Sequence, residues 1–299
     1  MNPFNELIAL LLPFTPRFVV ARFAKPYIAG EELTDALAAV GAINRAGAMA
    51  TLDVLGEDIS TREEATAARL ECGRVIAMIA ENGLDSNLSV KLTQLGLKVD
   101  RAFCQSNVEE ILSAAQAQTN FVRIDMEDHT CTDDTLAIFR AVRKKFSNVG
   151  IVIQAYLRRS ERDIRELVAE KANVRLCKGI YTEPAEIAFK TRSEVRENYL
   201  RLLRILLESR TYVGIATHDD VLVDGAKAML KELRFGRNEY EFQMLLGVRT
   251  EKRDELLREG HRLRVYTPYG KHWYAYSVRR LKENPQIAGY VFKAMFGFH

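Results

Sequence analysis

Three charged side chains stand inside short apolar segments: Lys91 in Ser89-Val90-Lys91-Leu92, Asp125 in Arg123-Ile124-Asp125-Met126-Glu127, and Arg175 in Arg175-Leu176-Cys177-Lys178-Gly179-Ile180-Tyr181. Charge withdrawn from water is costly unless it is paired, so these three either find one another or meet a ligand. Other polar groups close further apolar runs: Gln154 and Tyr156, Thr217-His218-Asp219, Gln243, and Tyr266-Thr267-Pro268-Tyr269-Gly270, with Arg279-Arg280 following on a helix. Lys91, Arg175, Lys178, Arg279 and Arg280 facing mainly Asp125 and Glu127 leave a positive excess. Guanidinium forks and ammonium groups suit carboxylates and phosphates, so the constellation asks for an anionic cofactor and an anionic substrate.

Each group alone has a plainer reading. Lys91 and Asp125 are either a structural ion pair or parts of a site, and a lone His218 is more often a satisfied core histidine. Gln154 and Gln243 can bond backbone in the interior, Tyr181 and Tyr266 can be rim aromatics, and Arg279-Arg280, with Lys282 nearby, can be a solvated helix face. Co-location is what separates these readings: six segment ends and one helix send basic, aromatic and amide groups to one place.

The elements that must position them alternate. Strands are predicted at Ala48–Leu55, Asn87–Leu92, Phe121–Met126, Gly150–Ala155, Asn173–Cys177, Tyr212–Ala216, Tyr240–Leu245 and Leu263–Tyr266, each followed by a longer amphipathic stretch. Strands this apolar are buried on both faces and imply a parallel sheet covered by helices. Eight such units over about 250 residues predict an α/β fold, a (β/α)8 barrel whose chemistry sits at the C-terminal ends of the strands; a doubly wound open sheet is the other arrangement. The first helix after a strand is read as opening at Ser60, with Glu63 completing a capping box. Residues 1–46 read as a helical arm, with Leu33, Leu37 and Val40 on one face and Gly47 as its stop, and residues 47–299 as the catalytic barrel.

Composition narrows the function. The 43 basic and 40 acidic residues nearly cancel to a net charge of +3, so nothing demands nucleic acid. Cys72, Cys104, Cys131 and Cys177 form no C-x-x-C pair, which argues against a disulfide framework or cysteine zinc site and suits a reducing cytoplasm. No G-x-G-x-x-G or G-x-x-x-x-G-K string follows a strand, so neither a dinucleotide crevice nor a P-loop is supported. The apolar run Leu7–Leu12 is cut by Pro13 and falls short of the roughly 18 residues a membrane span needs; without a basic start or cleavage site it does not read as a signal peptide.

Through Ser89-Val90-Lys91-Leu92, Arg175-Leu176-Cys177-Lys178-Gly179-Ile180-Tyr181, Ala216-Thr217-His218 and Tyr276-Ser277-Val278-Arg279-Arg280-Leu281, the sequence resembles the proline dehydrogenase family. The match runs in order across about residues 48–285, and the short length resembles the monofunctional bacterial enzymes rather than the fusion with an aldehyde dehydrogenase. The resemblance implies a distorted (β/α)8 barrel holding FAD at the strand C-termini. It implies oxidation of L-proline to Δ1-pyrroline-5-carboxylate by hydride transfer from C5 to flavin N5, with electrons passed to a membrane quinone. Carried onto this chain, it implies that Arg279, Arg280 and Lys91 hold the proline carboxylate, that Tyr181, Leu245 and Tyr266 wall the ring, and that Asp125 orients Lys91. Arg175 and Gln154 would lie against the flavin ring, Met126, Lys178, Gly179 and Ile180 along the cofactor, and Thr217 and His218 at its adenosine. Asp125, Arg175 and Lys91 are thus the catalytic set, with Asp125, Lys91 or water open as proton acceptor. Cys177 and Ile180 depart from the family's pattern, and the arm resembles it loosely.

The apolar stretch Phe4–Phe14 is read first as a helix packed on the barrel or on a neighbouring copy, and otherwise as a peripheral contact with the inner face of the bacterial membrane. Two rival functions remain: a barrel aldolase or lyase in which Lys91 forms a Schiff base, and a degenerate barrel serving as a binding module, which has no need of Lys91, Arg279 and Arg280 together.

Overall fold

The strands pair in chain order and close on themselves. The computed structural model describes Val20 and residues 24–56, 59–274 and 276–278. Within it β1 (Met49–Val54), β2 (Ser86–Val90), β3 (Val122–Ile124), β4 (Val149–Gln154), β5 (Asn173–Cys177), β6 (Val213–Ala216), β7 (Tyr240–Leu245) and β8 (Leu263–Tyr269) form a parallel barrel. The closing seam pairs Met49 with Arg264 and runs to Val54 with Tyr269. Helix α1 (Leu33–Arg45) precedes the barrel; α2 (Arg62–Glu81), α3 (Arg101–Ala117), α4 (His129–Arg143), α5 (Ser160–Ala169), α6 (Arg192–Glu208), α7 (Asp220–Glu232) and α8 (Thr250–Arg258) each follow a strand. This is the predicted (β/α)8 barrel and not an open sheet.

The helices form because each carries one apolar stripe. In α6, Tyr199, Leu202, Leu203, Leu206 and Leu207 are fully buried at helical spacing, each leucine contributing roughly 2 kcal/mol by leaving water. Thr191 caps its start: the hydroxyl accepts from Glu194 N while Glu194 Oε2 accepts from Thr191 N.

The structure corrects several boundaries. The box that opens α2 is Thr61 with Glu64, not Ser60 with Glu63. Ser60 contributes by donating its N–H, at 2.9 Å, and its exposed hydroxyl, at 3.2 Å, to Glu64 Oε2. The two readings differ by one residue, and the backbone is extended at Thr61, φ −128°, so the helical turn begins after it. The arm is not one helix over its described length: Lys25–Tyr27 is a single 3₁₀ turn and 28–32 are irregular before α1, because this stretch gives its backbone hydrogen bonds to the barrel, Ala29 N to Pro268 O at 2.8 Å and Gly30 O from Gly270 N at 3.0 Å. The remainder of residues 1–23, including Phe4–Phe14, lies outside the described residues. Strand β2 stops at Val90 because the chain turns at Leu92, whose carbonyl accepts from Leu95 and Leu97 N–H. Strand β8 runs three residues further than predicted, through Pro268. A proline fits there because β7 pairs with β8 only as far as Tyr266, so no ladder bond needs its missing N–H.

The lower barrel is filled by a polar floor. Arg264 donates to Glu241 Oε1 at 2.8 Å and to Ala50 O at 2.7 Å. Arg123 donates to Asn173 Oδ1 at 2.6 Å and to the Asn173 and Ile151 carbonyls. Gln243, expected to bond backbone, instead donates to Glu241 Oε1 at 2.5 Å, since the adjacent carboxylate is the stronger acceptor. The next interior layer lies closer to the mouth.

Candidate active site

That next layer is one connected network. Lys91 Nζ donates to Asp53 Oδ1 at 2.7 Å and reaches Tyr266 Oη at 3.5 Å. Tyr266 in turn donates to Asp125 Oδ2 at 2.9 Å. Asp125 Oδ1 accepts from Ser89 Oγ at 2.6 Å and from Arg175 Nη1 at 2.8 Å, and the Arg175 guanidinium lies 5.3 Å from the Tyr266 ring centre. Two cations, Lys91 and Arg175, thus face two carboxylates, Asp53 and Asp125. Among the described residues the innermost charges balance, because Asp53, not counted from the sequence, stands beside Lys91; Arg279 and Arg280, which belong to the expected excess, lie outside them. The excess among described residues lies further out, where Lys178, Arg192 and Arg196 surround the single carboxylate of Asp219.

Burial sets the protonation states. It pushes the Asp53 carboxyl up; Lys91 opposes this and the nearby Asp125 charge adds to it, for a net rise. Burial, then Asp125 and Asp53, push the Tyr266 hydroxyl well above its usual value, so it stays a neutral donor. Burial likewise pushes the Cys177 thiol up to about 12, making it an unreactive lining group.

Lys91, Asp125, Met126, Gln154, Arg175, Lys178, Gly179, Ile180, Tyr181, Thr217, His218, Leu245 and Tyr266 line one cavity of about 620 Å³ at the C-terminal mouth. Arg279 and Arg280 lie outside the described residues. Gln154 donates to Met126 O at 3.2 Å, which leaves its buried Oε1 without a partner, as is Arg175 Nε. Gly179 has φ +103°, and a methyl on it would sit 2.2 Å from the Tyr156 ring, so only glycine lets the β5 loop run this close. That loop is anchored behind by buried Glu183, which accepts from Tyr156 Oη at 3.2 Å and from His129 N at 2.9 Å. His218 Nε2 accepts from Leu245 N at 2.8 Å, which places the ring proton on Nδ1 and locks the ends of β6 and β7 together.

Glu127, counted toward the mouth from the sequence, is not on the cavity wall: it accepts from Thr93 N at 3.0 Å and from the Thr93 hydroxyl, because the chain has left β3 and no longer alternates. Asp53 was missed, although a carboxylate between Leu52 and Val54 in an apolar run is the same signal that marked Asp125. Tyr27 and Tyr276 are both on the cavity wall; Tyr27 was missed because it comes from outside the strand repeats, and Tyr276 was read as part of a motif without a role of its own.

Known proteins share this chain's sequence and shape. The family model described as proline dehydrogenase matches residues 36–292. The chain is 40% identical over 272 residues to "Proline dehydrogenase 1" of Bacillus subtilis subsp. natto, covering 91% of this chain and 90% of that protein. It is 36% identical over 277 residues to "Proline dehydrogenase" of Deinococcus radiodurans, covering 91% and 89%. Among solved structures, proline utilization A from Bdellovibrio bacteriovorus inactivated by N-propargylglycine superimposes with a TM-score of 0.84 at 25% identity, over 88% of this chain; the chain spans 32% of that longer protein. With a family match over most of its length and relatives matched nearly end to end, the chain belongs to the proline dehydrogenase family.

Proposed function

We propose that this chain oxidises L-proline to Δ1-pyrroline-5-carboxylate, the first step of proline catabolism, with FAD as its bound redox group and a membrane quinone as the final acceptor. The observation that carries the reading is the Lys91–Tyr266–Asp125–Arg175 network on the wall of one cavity, backed by Asp53, in a chain of this family. The residues fit FAD: Gln154 Oε1 and Arg175 Nε are buried without partners on that wall, Gly179 admits close backbone approach, and Lys178 brings positive charge. Met126, Gln154, Arg175, Lys178, Gly179, Ile180, Thr217 and His218 would hold the cofactor. Bound FAD supplies N5 as acceptor of the hydride leaving proline C5.

The chain's own residues orient and exclude. Lys91, held as an ammonium by Asp53, joins Arg279 and Arg280 on the substrate carboxylate, and Tyr181, Leu245 and Tyr266 wall the ring. Asp125 already accepts from Ser89, Tyr266 and Arg175, so it serves as an orienting group and not as a base. A Schiff-base lysine needs a neutral amine, and the 2.7 Å contact of Lys91 with Asp53 opposes that. The working division is an arm over 1–46 and a catalytic barrel over 47–299. Quinone use places the enzyme at the inner face of the membrane; no helix among the described residues is long and apolar enough to cross one.

An absorbance spectrum of the purified protein, before and after anaerobic L-proline, tests the reading. Flavin bands that bleach on addition are expected. Bands indifferent to proline reject the substrate, and a colourless protein that FAD does not restore rejects the cofactor.

A further inference from the structure

Most of the cavity wall comes from strand ends and the loops that follow them, but Tyr27 comes from the arm, in the single turn Lys25–Tyr27. Its position is fixed on both sides. Before it, Pro26 passes directly over the turn after β7: Gly247 has φ +72°, and a methyl there would lie 2.1 Å from the Pro26 carbonyl oxygen. After it, Ala29 N donates to Pro268 O at 2.8 Å, Gly270 N donates to Gly30 O at 3.0 Å, and Trp273 Nε1 donates to Glu31 Oε1 at 2.6 Å. Lys25 and Pro26 are exposed while Tyr27 is half-buried and Ala29 buried, so the segment turns its phenol side inward. Burial accordingly pushes the Tyr27 hydroxyl above its usual value.

The crossing point is above β7 and β8, the strands that carry Leu245 and Tyr266 into the same cavity, with Val248 and Tyr276 beside them. We propose that Tyr27 is a specificity-determining residue which the arm lowers onto the substrate end of the pocket, closing it over the ring of a five-membered cyclic amino acid. This rests on the proline-oxidising reading. An aromatic plate held by backbone bonds on one side and a glycine-only contact on the other is a rigid wall, and rigid apolar walls discriminate against one extra methylene by about 10–200-fold. The arm is then part of the active site and not only packing on the barrel.

The test uses the flavin-loaded full chain as wild type, Tyr27→Phe and Tyr27→Ala, with flavin content and thermal midpoint recorded for each. Steady-state kcat and KM are measured with L-proline and with its six-membered-ring homologue L-pipecolate. Tyr27→Ala is expected to raise KM for proline about tenfold, keep kcat within about threefold, and lower the preference for proline over pipecolate about tenfold; Tyr27→Phe is expected to match wild type, since the ring is the wall. If Tyr27→Ala does not fold, Gly247→Ala carries the same test, because its methyl must push Pro26 and Tyr27 off the mouth. Unchanged KM and unchanged preference in the folded variant overturn the proposal. A wild-type holoenzyme inert toward proline is a different failure, which overturns the functional reading and this proposal with it.

Discussion

In its proposed role as a carboxylate partner Lys91 must carry its proton, and the Asp53 carboxylate at 2.7 Å favours that form. Both side chains are almost wholly buried, at 7% and 1% exposure, where an ammonium without a counterion loses its proton more readily. Asp53→Asn therefore removes the charge that sustains Lys91 without touching the cofactor wall. The expected result is a fall in kcat/KM for proline of about 10–100-fold, about 1.4–2.7 kcal/mol, with the alkaline limb of the pH profile moved to lower pH and flavin content unchanged. A full pH–rate profile checks it, and an alkaline limb left in place would separate Lys91 from the role given to it. The same residue marks where sequence reading stops. Lys91, Asp125 and Arg175 were legible because each interrupts an apolar run, and Asp53 carried that signal unread. That Asp53 pairs with Lys91 was not legible at all: it depends on β1 and β2 pairing with Asp53 beside Ser89, two residues short of Lys91, and register is a property of the folded sheet.

Element boundaries depend on similarly local contests. The bounds of β5 and β7 follow from composition because apolar runs end there in polar groups, whereas β8 outruns its apolar run because pairing with β1 carries Thr267, Pro268 and Tyr269 onward. The start of α2 shows how narrow such a contest is: Ser60-x-x-Glu63 and Thr61-x-x-Glu64 both satisfy the capping pattern. The winner is the phase in which Ala65, Cys72, Val75, Ile76 and Ile79 all face the barrel. The two caps make different predictions. Thr61→Ala removes the oxygen that accepts from Glu64 N and should cost about 1 kcal/mol, lowering the thermal midpoint by about 2 °C in a chain of this size. Ser60→Ala removes only an exposed hydroxyl contact with Glu64 and should change the midpoint by less than half as much. Equal effects in a melting comparison would return the cap to Ser60.

At the scale of the whole molecule, closing eight strands leaves an interior that apolar side chains only partly fill, and this barrel fills its lower half with ions. The Glu241 carboxylate holds the floor together: it accepts from Arg264 on β8, from Gln243 on its own strand, and from Tyr212 at 3.0 Å. Burial pushes its pKa up, but Arg264, Gln243 and Arg123 together outweigh burial and leave it below the usual glutamate value. A carboxyl lowered on folding contributes stability above its unfolded pKa of about 4.3 and withdraws it as pH falls through the folded value. Asp219, where burial is outweighed by Arg196 and Lys178, has the same sign. The enzyme should therefore lose stability below about pH 4, with Glu241 a principal cause. Glu241→Gln tests this without assuming any role in turnover. At neutral pH it leaves Arg264 buried beside a neutral amide and should cost about 3–5 kcal/mol. In acid, once pH has fallen through the lowered folded value of Glu241 and the wild-type carboxyl is protonated as well, the two proteins should converge. Urea unfolding at both pH values measures the gap. A gap that stays constant down the acid limb would mean that the floor is held by shape and not by charge, and that acid sensitivity arises elsewhere in the barrel.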